Sequence, residues 1–272
     1  MTTITLNGNP ISYHETGAGD GPAVVLLPGW NEDHRMYKHV APILARRHRV
    51  LALDWRGHGE DRAHDGDFTI DEMAGDIVAF VDALGLDQVY TVSSSHGGWA
   101  AVEAAQRLGA DRAAKIALVS WKLDDPGEAL LTWCDDWQRE DAWEEARAGF
   151  FAYALGDSGN ADVAHHVRDE MSSFGAGYWN RTGREIGASY RKWPTVADRL
   201  AALGEPRPVT HIYTLPHEAG YVRANLEFAA AHDWFVPHRL PGETHFPVLE
   251  SPAAVSRILH EFFTGVDLSG AR

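Results

Sequence analysis

The sequence predicts an α/β fold on a mostly parallel sheet. Two observations carry this. In the N-terminal half, short runs that are apolar throughout alternate with amphipathic helical stretches. The alternation stops at about Trp121 and resumes at Pro208. Strands apolar on both faces and separated by helices indicate a parallel sheet covered on both sides.

The elements follow in order. Thr2 to Glu15 alternates polar and apolar residues around Asn7-Gly8, which reads as an antiparallel hairpin on the sheet edge. Ala23 to Leu27 is a buried strand ending at Pro28-Gly29, and Arg49 to Leu53 is a second, ending at Asp54-Trp55-Arg56-Gly57. Thr69 to Leu84 reads as a helix with Ile70, Met73, Ala74, Ile77, Val78 and Val81 on one stripe. Val89 to Ser93 and Lys115 to Val119 are further strands, with a helix from Trp99 to Leu108 between them. From Trp121 to Leu203 strand signals are missing and charged, aromatic helical patterns replace them. Between Asp124 and Glu145 stand nine acids and one base, which reads as a solvated face. Strands return at Pro208 to Tyr213 and Phe235 to Leu240, and a last helix runs from about Pro252 to Phe263. The expected organisation is a sheet core in two parts, 1–120 and 205–272, with a helical cap at 121–204.

Composition excludes several classes. The chain has 272 residues, 24 Lys and Arg against 39 Asp and Glu, and a net charge of −15. That balance disfavours nucleic acid and anionic membrane surfaces as partners. One cysteine, Cys134, rules out an intrachain disulfide, a CxxC zinc site and a cysteine-bound iron–sulfur cluster. No apolar run approaches the roughly 20 residues of a membrane span, and Met1 to Pro10 does not read as a signal peptide. A soluble cytoplasmic protein is the expectation.

Three local patterns carry chemistry. Val92 to Trp99 runs from a strand through Ser95-His96-Gly97-Gly98 into a helix. This matches the nucleophile elbow G-x-S-x-G, with Ser93 in place of the first glycine. Small residues are needed there because the turn is strained and the helix packs close. Leu27-Pro28-Gly29-Trp30 follows the first core strand, where an oxyanion-hole loop lies; Trp30 and His96 would be its two N–H donors. His245, in Pro241 to Pro247, follows the last strand, where the histidine of such a site belongs. Together these predict an α/β-hydrolase fold: a mostly parallel eight-stranded sheet with a helical cap. Asp54 to Gly59 reads as a structural turn at the sheet's carboxyl edge.

Pro28-Gly29-Trp30, Asp33-His34-Arg35, Asp54 to Gly59, Ser95 to Trp99 and Thr244 to Pro247 together resemble the cofactor-independent 2,4-dioxygenases of 3-hydroxy-4(1H)-quinolones. The likeness spans nearly the whole chain, including His165-His166, Trp179 and Gly183-Arg184. Trp30 and His96 are its most specific marks. The resemblance implies O2 as co-substrate, a small aromatic substrate, loss of carbon monoxide, and no metal or flavin. It makes His245 the base that removes the 3-hydroxyl proton, with Ser95 hydrogen-bonded to substrate oxygen.

The chain departs from the family pattern in several places. Where the pattern has an Asp as charge partner of the histidine, this chain has Ser120. Asp124 and Glu218 are the candidates to supply that carboxylate, with Ser120 alone as the third possibility. Two pocket histidines of the pattern correspond to Glu32 and Ser94, and a cap tryptophan to Ala154, which would widen the pocket for a C2 alkyl chain. Two other functions compete: a serine hydrolase using Ser95 and His245 with Glu218 or Asp124, and a non-catalytic binder of an aromatic ligand. The missing first elbow glycine and the missing Asp count against the hydrolase. The intact Ser95 and His245 count against the binder.

Overall fold

A computed structural model describes residues 1–59 and 66–266. Its sheet has eight strands: β1 (Thr2–Leu6), β2 (Asn9–Thr16), β3 (Ala23–Leu27), β4 (Val50–Leu53), β5 (Val89–Ser94), β6 (Ala113–Val119), β7 (Val209–Tyr213) and β8 (Phe235–Arg239). Their spatial order is β1-β2-β4-β3-β5-β6-β7-β8. The hairpin β1–β2 is antiparallel, as the Asn7-Gly8 turn predicts, and β2 lies antiparallel on β4. Every other pairing is parallel. Val24 to Leu27 and Val89 to Val92 are neighbours in one register, Val24 opposite Tyr90 and Leu26 opposite Val92. Parallel strands bring their carboxyl ends to one edge, which is where open α/β sheets build sites.

The helices are α1 (Val40–Leu44), α2 (Ile70–Ala83), α3 (Gly98–Arg112), α4 (Glu128–Asp136), α5 (Trp143–Leu155), α6 (Ala161–His165), α7 (Ala176–Lys192), α8 (Val196–Ala201), α9 (Ala219–Ala231), α10 (Pro247–Glu250) and α11 (Pro252–Thr264). Thr69 starts α2 with a capping box: its side chain accepts from Glu72 N, and the Glu72 carboxylate accepts from Thr69 N. Of the predicted stripe of α2, Met73, Ala74, Ile77 and Val81 are buried and Ile70 and Val78 half-buried; Asp76 and Phe80 are buried beside them. The sequence pattern ends α3 at Leu108. The chain stays helical to Arg112 across a kink at Gly109, whose φ is +77°. Helices α4 to α8 fill the interval between β6 and β7, and the acids Asp125, Glu128, Asp135 and Glu140 on that stretch are exposed. No helix among the described residues is long and apolar enough to cross a membrane.

The Asp54 to Gly59 turn joins the layers. The Trp55 indole N–H is shared between the carbonyls of Pro28 and Gly29, at 3.2 and 3.1 Å. Asp54 accepts from His34 N at 2.7 Å. Arg56 reaches Asp76 of α2 with two bonds, 2.6 and 2.9 Å, and both side chains are buried. Tyr178 of α7 donates to Gly57 O at 2.9 Å, tying the helical insertion to the sheet. The insertion is fastened a second time where Arg181 and Arg184 converge on Asp67. The structural role expected of this turn is therefore carried by named bonds.

Removing one partner of a buried ion pair strands the other charge. Asp76→Ala should therefore destabilise the fold by about 3 kcal/mol, read as a lower urea midpoint at unchanged slope. A loss below about 1 kcal/mol would show that Glu72, 3.2 Å from Arg56, takes over the charge.

Candidate active site

The site begins with a strained residue. Ser95 has φ +46°, a left-handed conformation that costs a non-glycine residue about 1–3 kcal/mol. It sits at the end of β5, and a single 3₁₀ turn, Ser95–Gly97, leads into α3. That turn lies against the loop after β3: a Cβ on Gly97 would come within 2.1 Å of the Pro28 carbonyl oxygen. Only glycine fits there. Ser120, at the end of β6, is also left-handed, with φ +51°. The two serines thus stand on adjacent parallel strands at the same edge.

His245 arrives on the loop between β8 and α10. The Glu250 carboxylate shapes that loop, accepting from Glu243 N, Thr244 N and the Thr244 hydroxyl at 3.0, 3.1 and 2.8 Å. His245 N donates to Ala154 O of α5 at 3.0 Å. The result is a Ser95 Oγ to His245 Nε2 distance of 3.0 Å, with Ser95 5% and His245 7% exposed. Ser95 Oγ is also 3.3 Å from His96 Nδ1, and His96 Nε2 is 3.1 Å from the Tyr190 hydroxyl.

These groups open onto a cavity of about 210 Å³. Ser95, His96, Ser120, Lys122 and His245 form its polar end. Ala129, Leu130 and Trp133 of α4, Phe150 and Tyr153 of α5, and Leu215 and Pro216 form its apolar wall, with Glu218 beside them. The rings of Phe150 and Tyr153 are 6.2 and 6.0 Å from that of His245. Burial lowers the His245 pKa to about 4, and burial with His245 nearby lowers that of His96 to about 3. Both imidazoles are therefore neutral at pH 7. Burial, helped by Glu218, pushes the Tyr153 phenol up to about 12.

The other expected residues fall elsewhere. Asp124 turns to Lys122 Nζ at 2.5 Å, and among the described residues no carboxylate is hydrogen-bonded to His245. Asp124 is therefore corrected from charge partner of His245 to partner of Lys122. Glu218 lines the cavity without reaching the ring. Ser120 Oγ is buried and has no hydrogen-bond partner among the described residues. Trp30, Glu32, Ser94 and Ala154 do not belong to the cavity wall. The Trp30 ring stacks on Phe68 at 6.0 Å. Glu32 accepts from Gly29 N at 2.8 Å and bonds Ser94, and burial pushes its carboxyl up to about 7. Ala154 is fully buried, and its carbonyl accepts from His245 N. Asp33, His34 and Asp54 bring ligand atoms within 4.8 Å of one another, but Arg35 occupies Asp33 and His34 occupies Asp54.

Sequence reasoning missed Tyr190, Glu250 and the apolar wall. Glu250 lies only five residues after His245 and could have been read as a loop-capping acid. Tyr190 and most of the wall come from cap helices whose packing no local pattern fixes.

Residues 22–238 match the family model for the alpha/beta hydrolase fold. The chain is 38% identical to the 1H-3-hydroxy-4-oxoquinoline 2,4-dioxygenase of Pseudomonas putida, over 96% of this chain and 99% of that one. It is also 38% identical to the 2-heptyl-3-hydroxy-4(1H)-quinolone dioxygenase of Mycobacteroides abscessus, over 94% and 95%. Among solved structures, an AqdC variant in complex with its substrate, studied for ring-cleavage of the Pseudomonas quinolone signal, superposes with a TM-score of 0.95. That chain is 37% identical, with 97% of this chain and 99% of the other covered. The structure of 1H-3-hydroxy-4-oxoquinoline 2,4-dioxygenase gives 0.94 at 38% identity, with coverage of 97% and 100%. The chain belongs to the α/β-hydrolase fold family and, within it, to the ring-cleaving 3-hydroxy-4-oxoquinoline 2,4-dioxygenases.

Proposed function

We propose that the chain opens the heteroaromatic ring of a 3-hydroxy-4(1H)-quinolone with O2 and releases carbon monoxide, using His245 as general base and Ser95 to hold the substrate's oxygen. The observation that carries this reading is a Ser95–His245 pair facing an apolar cavity with no carboxylate hydrogen-bonded to the imidazole among the described residues. A serine hydrolase lacking its triad acid has lost about 10⁴ in rate. A ring-cleaving oxygenase brings its own anion, and that anion can face the imidazolium directly.

The steps balance without a further reactant. His245 Nε2 takes the 3-hydroxyl proton, leaving an anion delocalised over the oxygen and C2. O2 bonds to C2, and the distal oxygen closes on C4. The C2–C3, C3–C4 and O–O bonds then break. C3 leaves with its oxygen as carbon monoxide, C2 becomes an amide carbonyl and C4 a carboxylate. One proton is released per turnover. Ser95 and His96, at the polar end, hold the oxygens; Leu130, Trp133, Leu215 and Pro216 offer apolar surface to the ring and to a C2 alkyl chain. The single buried thiol and the missing disulfide support a cytoplasmic setting.

The protein, incubated aerobically with 3-hydroxy-4-quinolones of several C2 chain lengths and no added metal, should consume them only when O2 is present and release carbon monoxide in equal amount. Turnover of p-nitrophenyl esters, with fluorophosphonate labelling of Ser95 and no quinolone loss, would overturn the reading in favour of a hydrolase.

His245→Ala should lower the rate at neutral pH by about 10²–10⁴, the usual loss for a general base. The deficit should shrink at high pH, where the substrate ionises unaided. An unchanged rate at pH 7 would remove His245 from the mechanism.

Ser95→Ala should cost less. A lost hydrogen bond to a charged group is worth about 1.5–3 kcal/mol, or roughly ten- to over a hundredfold. The informative quantity is the ratio of the two variants on one quinolone. Equal inactivity, with a covalent adduct trapped at Ser95 in the wild type, would make Ser95 a nucleophile instead.

A further inference from the structure

We propose that Tyr190 is a positioning residue for this reaction: through His96 and Ser95 it fixes which nitrogen of His245 carries the proton, and so keeps Nε2 unprotonated, an acceptor that Ser95 holds until the substrate hydroxyl takes its place. The proposal rests on the reading of His245 as the base.

Four groups from three distant parts of the chain stand in line. The Tyr190 hydroxyl, on α7, lies 3.1 Å from His96 Nε2. His96 Nδ1 lies 3.3 Å from Ser95 Oγ, and Ser95 Oγ lies 3.0 Å from His245 Nε2. Counting protons gives the direction of the line. A buried phenol has one proton and must give it to an acceptor. Among the described residues, His96 Nε2 is the hydrogen-bond partner of the Tyr190 hydroxyl, so Tyr190 donates and Nε2 accepts. His96 is neutral, held there by burial and by His245. Its one proton is then on Nδ1, which donates to Ser95 Oγ. The Ser95 proton goes to the acceptor that remains, His245 Nε2. A neutral His245 therefore keeps its own proton on Nδ1. In the reverse direction His96 Nε2–H would donate to Tyr190, and the phenol proton would be left without an acceptor.

In a serine triad a carboxylate on Nδ1 selects the tautomer. No carboxylate is hydrogen-bonded to His245 among the described residues, so the selection comes from the other nitrogen. Tyr190 is built to do this. Its ring meets Trp99 edge-on at 5.2 Å. The helix that carries it crosses α4 closely at Gly183, where a Cβ would come within 2.2 Å of the Cys134 carbonyl oxygen. Asp124 and Cys134 lie near Tyr190, and Lys122, Tyr153 and Glu218 share the cavity wall; none of these is hydrogen-bonded to the line among the described residues.

The test is Tyr190→Phe, which removes the donor and leaves the ring. His96 can then move its proton to Nε2, and His245 loses its fixed tautomer. At neutral pH kcat should fall about tenfold, the size of one lost hydrogen bond, with KM nearly unchanged. The deficit should disappear as the pH passes the ionisation of the substrate hydroxyl, because a substrate that is already anionic needs no base. In parallel, ¹⁵N NMR of imidazole-labelled protein should show His245 protonated on Nδ1 in the wild type and a mixture of tautomers in the variant. A wild-type rate in Tyr190→Phe at pH 7, a deficit unchanged at high pH, or a wild-type His245 protonated on Nε2 would each overturn the proposal. The spectrum needs no substrate, so it decides this question separately from whether quinolones are turned over. Should the variant fail to fold, the wild-type spectrum alone decides it.

Discussion

A neutral imidazole buried in an apolar wall is the constraint on which the site depends. His245 is buried among Phe150, Tyr153 and Phe246, and among the described residues no acid offsets the desolvation that lowers its pKa to about 4. In water a group with that pKa would be a poor base. In the proposed reaction the comparison changes, because the proton His245 would take leaves an anion beside it. Two opposite charges about 4 Å apart attract by about 1 kcal/mol in water and about 4 kcal/mol at an effective dielectric of 20. The same burial that makes imidazolium unstable alone would stabilise it against the enolate of the proposed reaction.

The scaffold serves that constraint by putting the serines and the histidine on one edge of the sheet. Ser95 follows β5, Ser120 follows β6 and His245 follows β8, all parallel strands. Both serines hold left-handed backbone, and strain of that kind persists only where neighbours over-determine it. At Ser95 those neighbours are the loop after β3 and Trp55. Gly97 lets the elbow press on the Pro28 carbonyl, and Trp55 binds that carbonyl and the next one. The Asp54 to Gly59 turn thus supports the elbow from one side while Tyr178 ties it to the cap.

The fold was legible because its signals are local. Five apolar residues in a row at Ala23 to Leu27, an Asn-Gly turn and a capping threonine each report on a few neighbours in sequence. Ser95 and His245 were legible too, since their places relative to strand ends are set by the fold. The acid partner was not. Asp124 is near in sequence, but Lys122 is two residues away and takes its carboxylate. Tyr190 lies 94 residues from His96, and only the packing of α7 against α4 and α5 brings them together. Ala154 illustrates the opposite error: the residue is adjacent to the site, but its contribution is a carbonyl, which carries no side-chain signature.

Ser120 sets the electrostatics apart from those of a triad. A carboxylate at the end of β6 would hold a permanent negative charge against His245 and favour imidazolium whether or not substrate were present. A serine there carries no charge, so the histidine waits neutral. In the proposed mechanism its proton arrives only with the substrate's negative charge, and the ion pair exists only while both are in the cavity. Charge separation in this site is thus coupled to occupancy. What an uncharged partner cannot do is orient the imidazole, which a carboxylate does by accepting from Nδ1–H. Orientation must then come from groups that already touch the ring, and Ser95, with His96 and Tyr190 behind it, is the line that does.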